Sequence, residues 1–349
     1  MKSGKKLAVA IGSLALFVAA NSFSSEAPDS LTPGTPGLEP AAVESLAVDA
    51  SLFATRTFDW TDSTRNRRVP AKLYLPAKEA RAKSMPLILF SHGIGGSREG
   101  YSYLGGYFAA HGYASLHVQH VGSDRQIWFG NPLGLVGRLS EAAQDGEALS
   151  RVQDMKFALD QVLSGQEGAS IDASRIAAAG HSYGANTTML LAGARIEANG
   201  KILELRDPRI SSAILLSAPP FYRLGDPAKI LSGIEVPTLH ITATGDNIQI
   251  PGYFSAYEDR VSLYNATGTD KRSQKVLAVF KDGSHSIFTD RAGTGGVTLN
   301  PRVKIATRQL ALAFLDRVYQ QDSAALDRWP LGNASILATY ETALRNVIR

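Results

Sequence analysis

The sequence predicts an α/β fold built on a mostly parallel sheet, and three observations predict it. From about Leu52 onward, short apolar runs alternate with helical stretches. Most of the runs lack the in-and-out alternation of a half-exposed sheet, as strands covered on both faces do. One run, Arg175–Ala179, leads through a glycine-flanked turn, Gly180-His181-Ser182-Tyr183-Gly184, directly into a helical stretch.

In chain order the expected strands are Ala71–Leu75, Pro86–Phe90, Tyr113–Val118, Arg175–Ala179, Ser212–Leu216, Thr238–Thr242 and Val276–Phe280. Between them Leu149, Val152, Met155, Leu159 and Val162 recur at spacings of three and four, which predicts a helix over Glu147–Leu163 with one apolar stripe. Ala185–Arg195 and Val303–Val318 read the same way. Gln126–Glu141 and Pro251–Ser273 fit neither period and are read as short cap-like insertions over the sheet.

Three domain-level segments follow. Lys2, Lys5 and Lys6 precede an uncharged apolar run from Leu7 to Ala20, the layout of a secretory signal peptide ending at 20 or at 27. The run is too short to span the roughly 30 Å of a bilayer core, so no stable membrane anchor is expected. Residues 21–51, with Pro28, Pro33, Pro36 and Pro40, read as a flexible lead-in, and 52–349 as the folded domain. This predicts a secreted or periplasmic protein.

Composition narrows the chemistry. The absence of cysteine excludes disulfides, thiolate metal sites and a thiol nucleophile. The net charge of +4 falls to +1 without residues 1–20, which gives no reason to expect a nucleic-acid partner. His117 and His120 stand three apart, a spacing that sends strand side chains to opposite faces, and no carboxylates with ligand spacing accompany them, so no metal is expected.

What remains is hydroxyl chemistry. Gly180-His181-Ser182-Tyr183-Gly184 matches G-x-S-x-G, in which glycines permit a strand-to-helix turn so sharp that the serine hydroxyl stands clear of the sheet. This is the nucleophile turn of the α/β-hydrolase fold, and Ser182 is the expected nucleophile. A serine hydroxyl needs a base, and in this fold the order is serine, acid, histidine. Only His240 and His285 follow Ser182. His240 lies inside an apolar strand and reads as core, whereas His285 lies in the loop Asp282-Gly283-Ser284-His285-Ser286 just past a strand. Asp246, following the intervening strand, is the expected acid, with Asp282 and Asp290 read as turn and helix-start residues. Two backbone N–H groups should bind a developing oxyanion: that of Tyr183, and that of Ile94 in the glycine-rich loop Ser91-His92-Gly93-Ile94-Gly95-Gly96. Tyr101, Trp128 and Phe129 are candidates to line an apolar substrate pocket.

The segment from Ser91 to Asp124, SHGIGGSREGYSYLGGYFAAHGYASLHVQHVGSD, with GHSYG, ATGD and GSHSIF, resembles the serine α/β hydrolases grouped as predicted dienelactone hydrolases and platelet-activating-factor acetylhydrolase-like esterases. The resemblance implies a serine carboxylic-ester hydrolase that takes an oxyanion N–H from the residue after His-Gly, here Ile94, and it speaks more to fold and reaction class than to substrate; the expected substrate is a small lipid-like or short-chain ester, with no cofactor. Two departures qualify it. Dienelactone hydrolases use a Cys nucleophile, absent here, and the acid position after the strand that follows the nucleophile helix holds Ser217, which sends the acid to Asp246. A peptidase or amidase on the same fold, or an inactive binding protein, is the alternative.

Overall fold

The computed structural model describes residues 45–344 apart from 199–200, 222–224, 251–252, 269–273 and 295. The expected signal peptide and most of the expected lead-in lie outside the described residues.

Nine strands form the main sheet: β1 (Phe53–Asp62), β2 (Arg67–Pro76), β3 (Met85–Ser91), β4 (Ala114–Val118), β5 (Ile171–His181), β6 (Ile210–Leu216), β7 (Thr238–Gly245), β8 (Lys275–Ser284) and β9 (Leu337–Thr342). Their spatial order is β1-β2-β4-β3-β5-β6-β7-β8-β9. The six strands from β4 to β8 in that order run parallel. The two at one edge and β9 at the other pair antiparallel. The exchange of β3 and β4 makes β3 and β5 neighbours, so the loops leaving both emerge side by side.

The helices are α1 (Ser102–Ala110), α2 (Leu135–Ala142), α3 (Asp145–Ser164), α4 (Tyr183–Ala192), α5 (Pro227–Leu231), α6 (Tyr257–Ala266), α7 (Leu299–Tyr319) and α8 (Ala324–Asn333). They cover both faces of the sheet, and β3 shows why its sequence is unbroken apolar. Leu87 and Leu89 pack into a core with Val152, Met155 and Leu159 of α3 and Met189 of α4. Ile88 and Phe90 point the other way, into a core with Leu104 and Phe108 of α1 and Val303, Leu310 and Phe314 of α7. Each alternate residue therefore leaves water, which is worth roughly 1.5–3 kcal/mol per large side chain.

All seven expected strands are present. The edge strands β1 and β9 are additional; β1 buries one residue and β9 none, so they carry little of the apolar signal that marks a buried strand. The two stretches expected to lack regular structure contain α2 and α6, short helices with too few turns to establish a period. Ser45 and Leu46, within the expected flexible lead-in, are tied down: their carbonyls accept from the buried Arg308 of α7 at 2.6 and 2.7 Å. No helix among the described residues is long and apolar enough to cross a membrane.

Five histidines, His92, His117, His120, His181 and His240, are buried. Burial pushes all of them below the ordinary imidazole range, His117 to about 4 and His181 and His240 to about 3. The unfolded chain, with histidines near 6.5, binds more protons than the folded one below that pH. The stability they carry is therefore complete above about pH 6.5 and drains away as pH falls, by up to about 1.4 kcal/mol per pH unit for each histidine. Denaturant midpoints should drop steeply between pH 6.5 and pH 4.5; midpoints that stay level across that range would contradict the burial of these rings.

Candidate active site

Ser182 stands at the junction of β5 and α4 with φ 55° and ψ −123°, backbone angles that a residue with a side chain rarely adopts. The turn is held from both sides. The Ser182 N–H donates to Leu216 C=O on β6 at 2.9 Å. Gly184 meets the end of β3 so closely that a Cβ there would sit 1.9 Å from Ser91 C=O. Ser182 is half-buried, with its hydroxyl at the carboxyl end of the parallel strands.

His285 follows β8 and Asp246 follows β7, two strands that are hydrogen-bonded neighbours. His285 Nε2 lies 2.8 Å from Ser182 Oγ, and its Nδ1 lies 2.7 Å from Asp246 Oδ1. Asp246 is fully buried; its Oδ2 accepts from Thr242 Oγ1 at 2.7 Å and faces Arg260 Nε at 3.5 Å. Burial alone would raise this carboxyl, but the His285 hydrogen bond and charge, followed by Arg260, outweigh it and hold Asp246 below the usual carboxylate range. Asp246 therefore stays ionised and accepting, which leaves the proton on His285 Nδ1 and the lone pair on Nε2 facing the serine. Asp282, expected in a turn, lies instead in the irregular end of β8, where pairing with β7 shifts register between Phe280 and Ser284 and its φ is 58°; Asp290 accepts from Ser102 N–H at the start of α1, 3.0 Å away.

The loop with Ile94 lies beside the serine: a Cβ on Gly93 would be 3.3 Å from Ser182 Cβ. Gly93 C=O accepts from His92 Nδ1 at 2.7 Å and from Gly96 N–H at 3.1 Å. Across a trans peptide the C=O and N–H point in opposite directions, so anchoring this carbonyl turns the Ile94 N–H away from the loop interior. Tyr183 N–H opens α4, among the N–H groups a helix cannot satisfy itself.

Of the three aromatic candidates, Tyr101 stands apart. It is buried, with φ 59°, and its hydroxyl lies 2.8 Å from His181 Nδ1 and 3.4 Å from Gly93 N. His181 Nε2 in turn donates to His285 C=O at 2.9 Å. Tyr101 thus links the Ile94 loop through His181 to the His285 loop, with its ring 4% exposed. Trp128 and Phe129 are 45% and 64% exposed at the end of a short helical turn. Trp128 Nε1 donates to Gly95 C=O at 2.9 Å and lies over Gly95, where a Cβ would come within 2.3 Å of the indole nitrogen.

A second serine, histidine and aspartate line up behind the first set. Ser91 Oγ lies 3.0 Å from His120 Nε2, and His120 Nδ1 lies 3.1 Å from Asp154 Oδ2. All three are fully buried, and Ser91 Oγ also accepts from Arg151. Burial distinguishes the two sets: no substrate reaches Ser91, whereas Ser182 and His285 are partly open. Neither this second set nor the buried Arg151 is legible in the sequence, because a charged residue one place off an apolar stripe ordinarily faces water. Among the described residues no group of three or more acidic or histidine side chains is placed to hold a metal.

The sheet order and the strained serine between β5 and α4 define an α/β-hydrolase fold. Within that class the chain resembles the platelet-activating factor acetylhydrolases. A family profile described as platelet-activating factor acetylhydrolase, isoform II, matches residues 56–127, a stretch that includes Ile94 and Tyr101 and ends before Ser182. The platelet-activating factor acetylhydrolase of Cavia porcellus is 30% identical over 157 residues, covering 35% of this chain and 34% of that protein. The chain thus matches about a third of the length of this relative.

Proposed function

We propose that this chain is a secreted serine carboxylic-ester hydrolase working through Ser182, His285 and Asp246. The observation that carries the proposal is the unbroken run of hydrogen bonds from Asp246 through His285 to a half-buried, strained Ser182. In the reaction His285 Nε2 takes the Ser182 proton as Oγ adds to the ester carbonyl, and Asp246 stabilises the imidazolium. Ile94 and Tyr183 N–H groups bind the oxyanion. The imidazolium returns its proton to the leaving alkoxide, and water, activated by the same histidine, releases the acid from the acyl-enzyme.

The substrate reading is a small lipid-like or short-chain ester. The exposed Trp128 and Phe129 beside the Ile94 loop favour an apolar portion, and the relative's name specifies removal of an acetyl group. The reading of 1–20 or 1–27 as a signal peptide supports action outside the cytoplasm, in periplasm or medium.

The test is a matched panel of p-nitrophenyl esters and anilides of acetate through decanoate, with fluorophosphonate labelling of wild type and Ser182→Ala. Faster anilide than ester turnover would make the chain an amidase; equal labelling of both proteins, or of neither, would make it a binding protein. In the same panel Trp128→Ala is expected to change the dependence of KM on acyl length by about 1–3 kcal/mol across the series. Parallel profiles for the two proteins would remove Trp128 from the substrate site.

A further inference from the structure

Arg151 is a fully buried cation for which the proposed reaction has no use, and it touches both elements that carry the proposed oxyanion donors. On the β3 side its Nη2 donates to Ser91 Oγ at 3.0 Å and to His92 C=O, the carbonyl one peptide before Gly93. On the α4 side its Nε donates to Thr187 Oγ1 at 3.1 Å, and its guanidinium lies 4.6 Å from the centre of the Tyr183 ring. Nη1 donates to Ser123 Oγ at 2.8 Å, and Ser123 C=O holds Gly95 N–H at 2.9 Å.

The surroundings explain how a charge is tolerated there. Its counter-charges are one and two steps removed: Ser123 Oγ passes on to Glu147 at 2.7 Å, and Ser91 Oγ through His120 to Asp154. Burial lowers the guanidinium to about 10, so it remains charged at neutral pH. Its planar fork serves acceptors in several fixed directions at once, which an ammonium on a flexible stem cannot do.

Resting on the esterase reading above, we propose that Arg151 is a positioning residue that fixes the spacing between the Ile94 and Tyr183 N–H groups. The two donors come from different strand-to-helix connections, and an oxyanion hole works only when both reach the same oxygen at about 2.7–3.1 Å. A rigid group clamping the end of β3 to the first turn of α4 sets that distance. It acts on the transition state and leaves ground-state binding alone, since the ester carbonyl oxygen reaches the hole only as charge develops on it.

The experiment compares wild type, Arg151→Met, Arg151→Lys and Thr187→Val on p-nitrophenyl acetate, with inhibition by a trifluoromethyl ketone that forms a tetrahedral adduct. Methionine fills the volume without the fork, so a purely structural arginine would be replaced with little kinetic effect. The expected result is a kcat lower by about 10²-fold in Arg151→Met, with KM within threefold and ketone affinity weakened in step with kcat/KM. Arg151→Lys should recover only part of the loss. Where Arg151→Met fails to fold, Thr187→Val, which removes the acceptor of the Nε contact together with the 3.2 Å bond from Thr187 Oγ1 to Tyr183 C=O, should still lower kcat several-fold at constant KM. A folded Arg151→Met, or in its place Thr187→Val, with unchanged kcat, or a loss in KM alone, overturns the proposal. Wild type without any turnover that depends on Ser182 overturns the esterase reading instead, and the inference with it.

Discussion

Ser182→Ala is expected to lower kcat toward a short-chain ester by about 10⁵–10⁶-fold, the scale on which nucleophile deletions act in serine hydrolases. The reason is local. The Ser182 hydroxyl is the partly open oxygen on His285 Nε2, and the buried Ser91 cannot substitute for it because no substrate reaches it. The change should leave the fold intact, since alanine keeps the Cβ and the N–H that bonds to Leu216 C=O. Purified Ser182→Ala with an unshifted melting temperature and residual turnover near background is the expected outcome. Turnover within tenfold of wild type would place the chemistry elsewhere.

Asp246→Asn should cost about 10⁴-fold in kcat, through the tautomer of His285. Thr242 Oγ1 donates to Oδ2 and Arg260 faces the same oxygen, so an asparagine keeps its carbonyl on that side and turns its NH₂ toward His285 Nδ1. The imidazole must then accept at Nδ1 and carry its proton on Nε2, where it donates to the serine and can no longer receive from it. KM should change little. Arg260, deprived of its counter-charge, should also lower stability by on the order of 1–3 kcal/mol, so the kinetic comparison belongs at a temperature where both proteins are folded. Full activity in a folded Asp246→Asn would reject the acid assignment. The rivals are then weak, as both Asp282 and Asp290 are exposed and Asp290 is engaged at the start of α1.

The parts of this site differ in how far they could be read before folding. Ser182 was legible because its turn is local: glycines, serine, the preceding strand and the following helix lie within about twenty consecutive residues. His285 followed by elimination among few histidines. Asp246 rested on chain order, and the geometry now places it within hydrogen-bond distance of His285. Tyr101 reads as a candidate pocket residue from its aromatic character; that its hydroxyl joins Gly93 and His181 is not legible, because one partner lies eighty positions away.

Seven strands, a mostly parallel sheet and the residue types that the chemistry requires are legible along the chain, because apolar periodicity and turn residues act over short stretches; the antiparallel pairing of β2 is not. Solvent access is a property of the folded chain: Ser182 is half-buried and Ser91 fully buried. The same three residue types occur twice, as Ser182–His285–Asp246 and as Ser91–His120–Asp154; the glycine-flanked turn marks the first in the sequence, and burial of the second appears only in the fold. The tertiary structure also decided that Arg151 lies under the proposed oxyanion hole and not on the surface. Burial of a charge depends on whether distant segments bring enough polar partners to it, and no pattern along the chain records that.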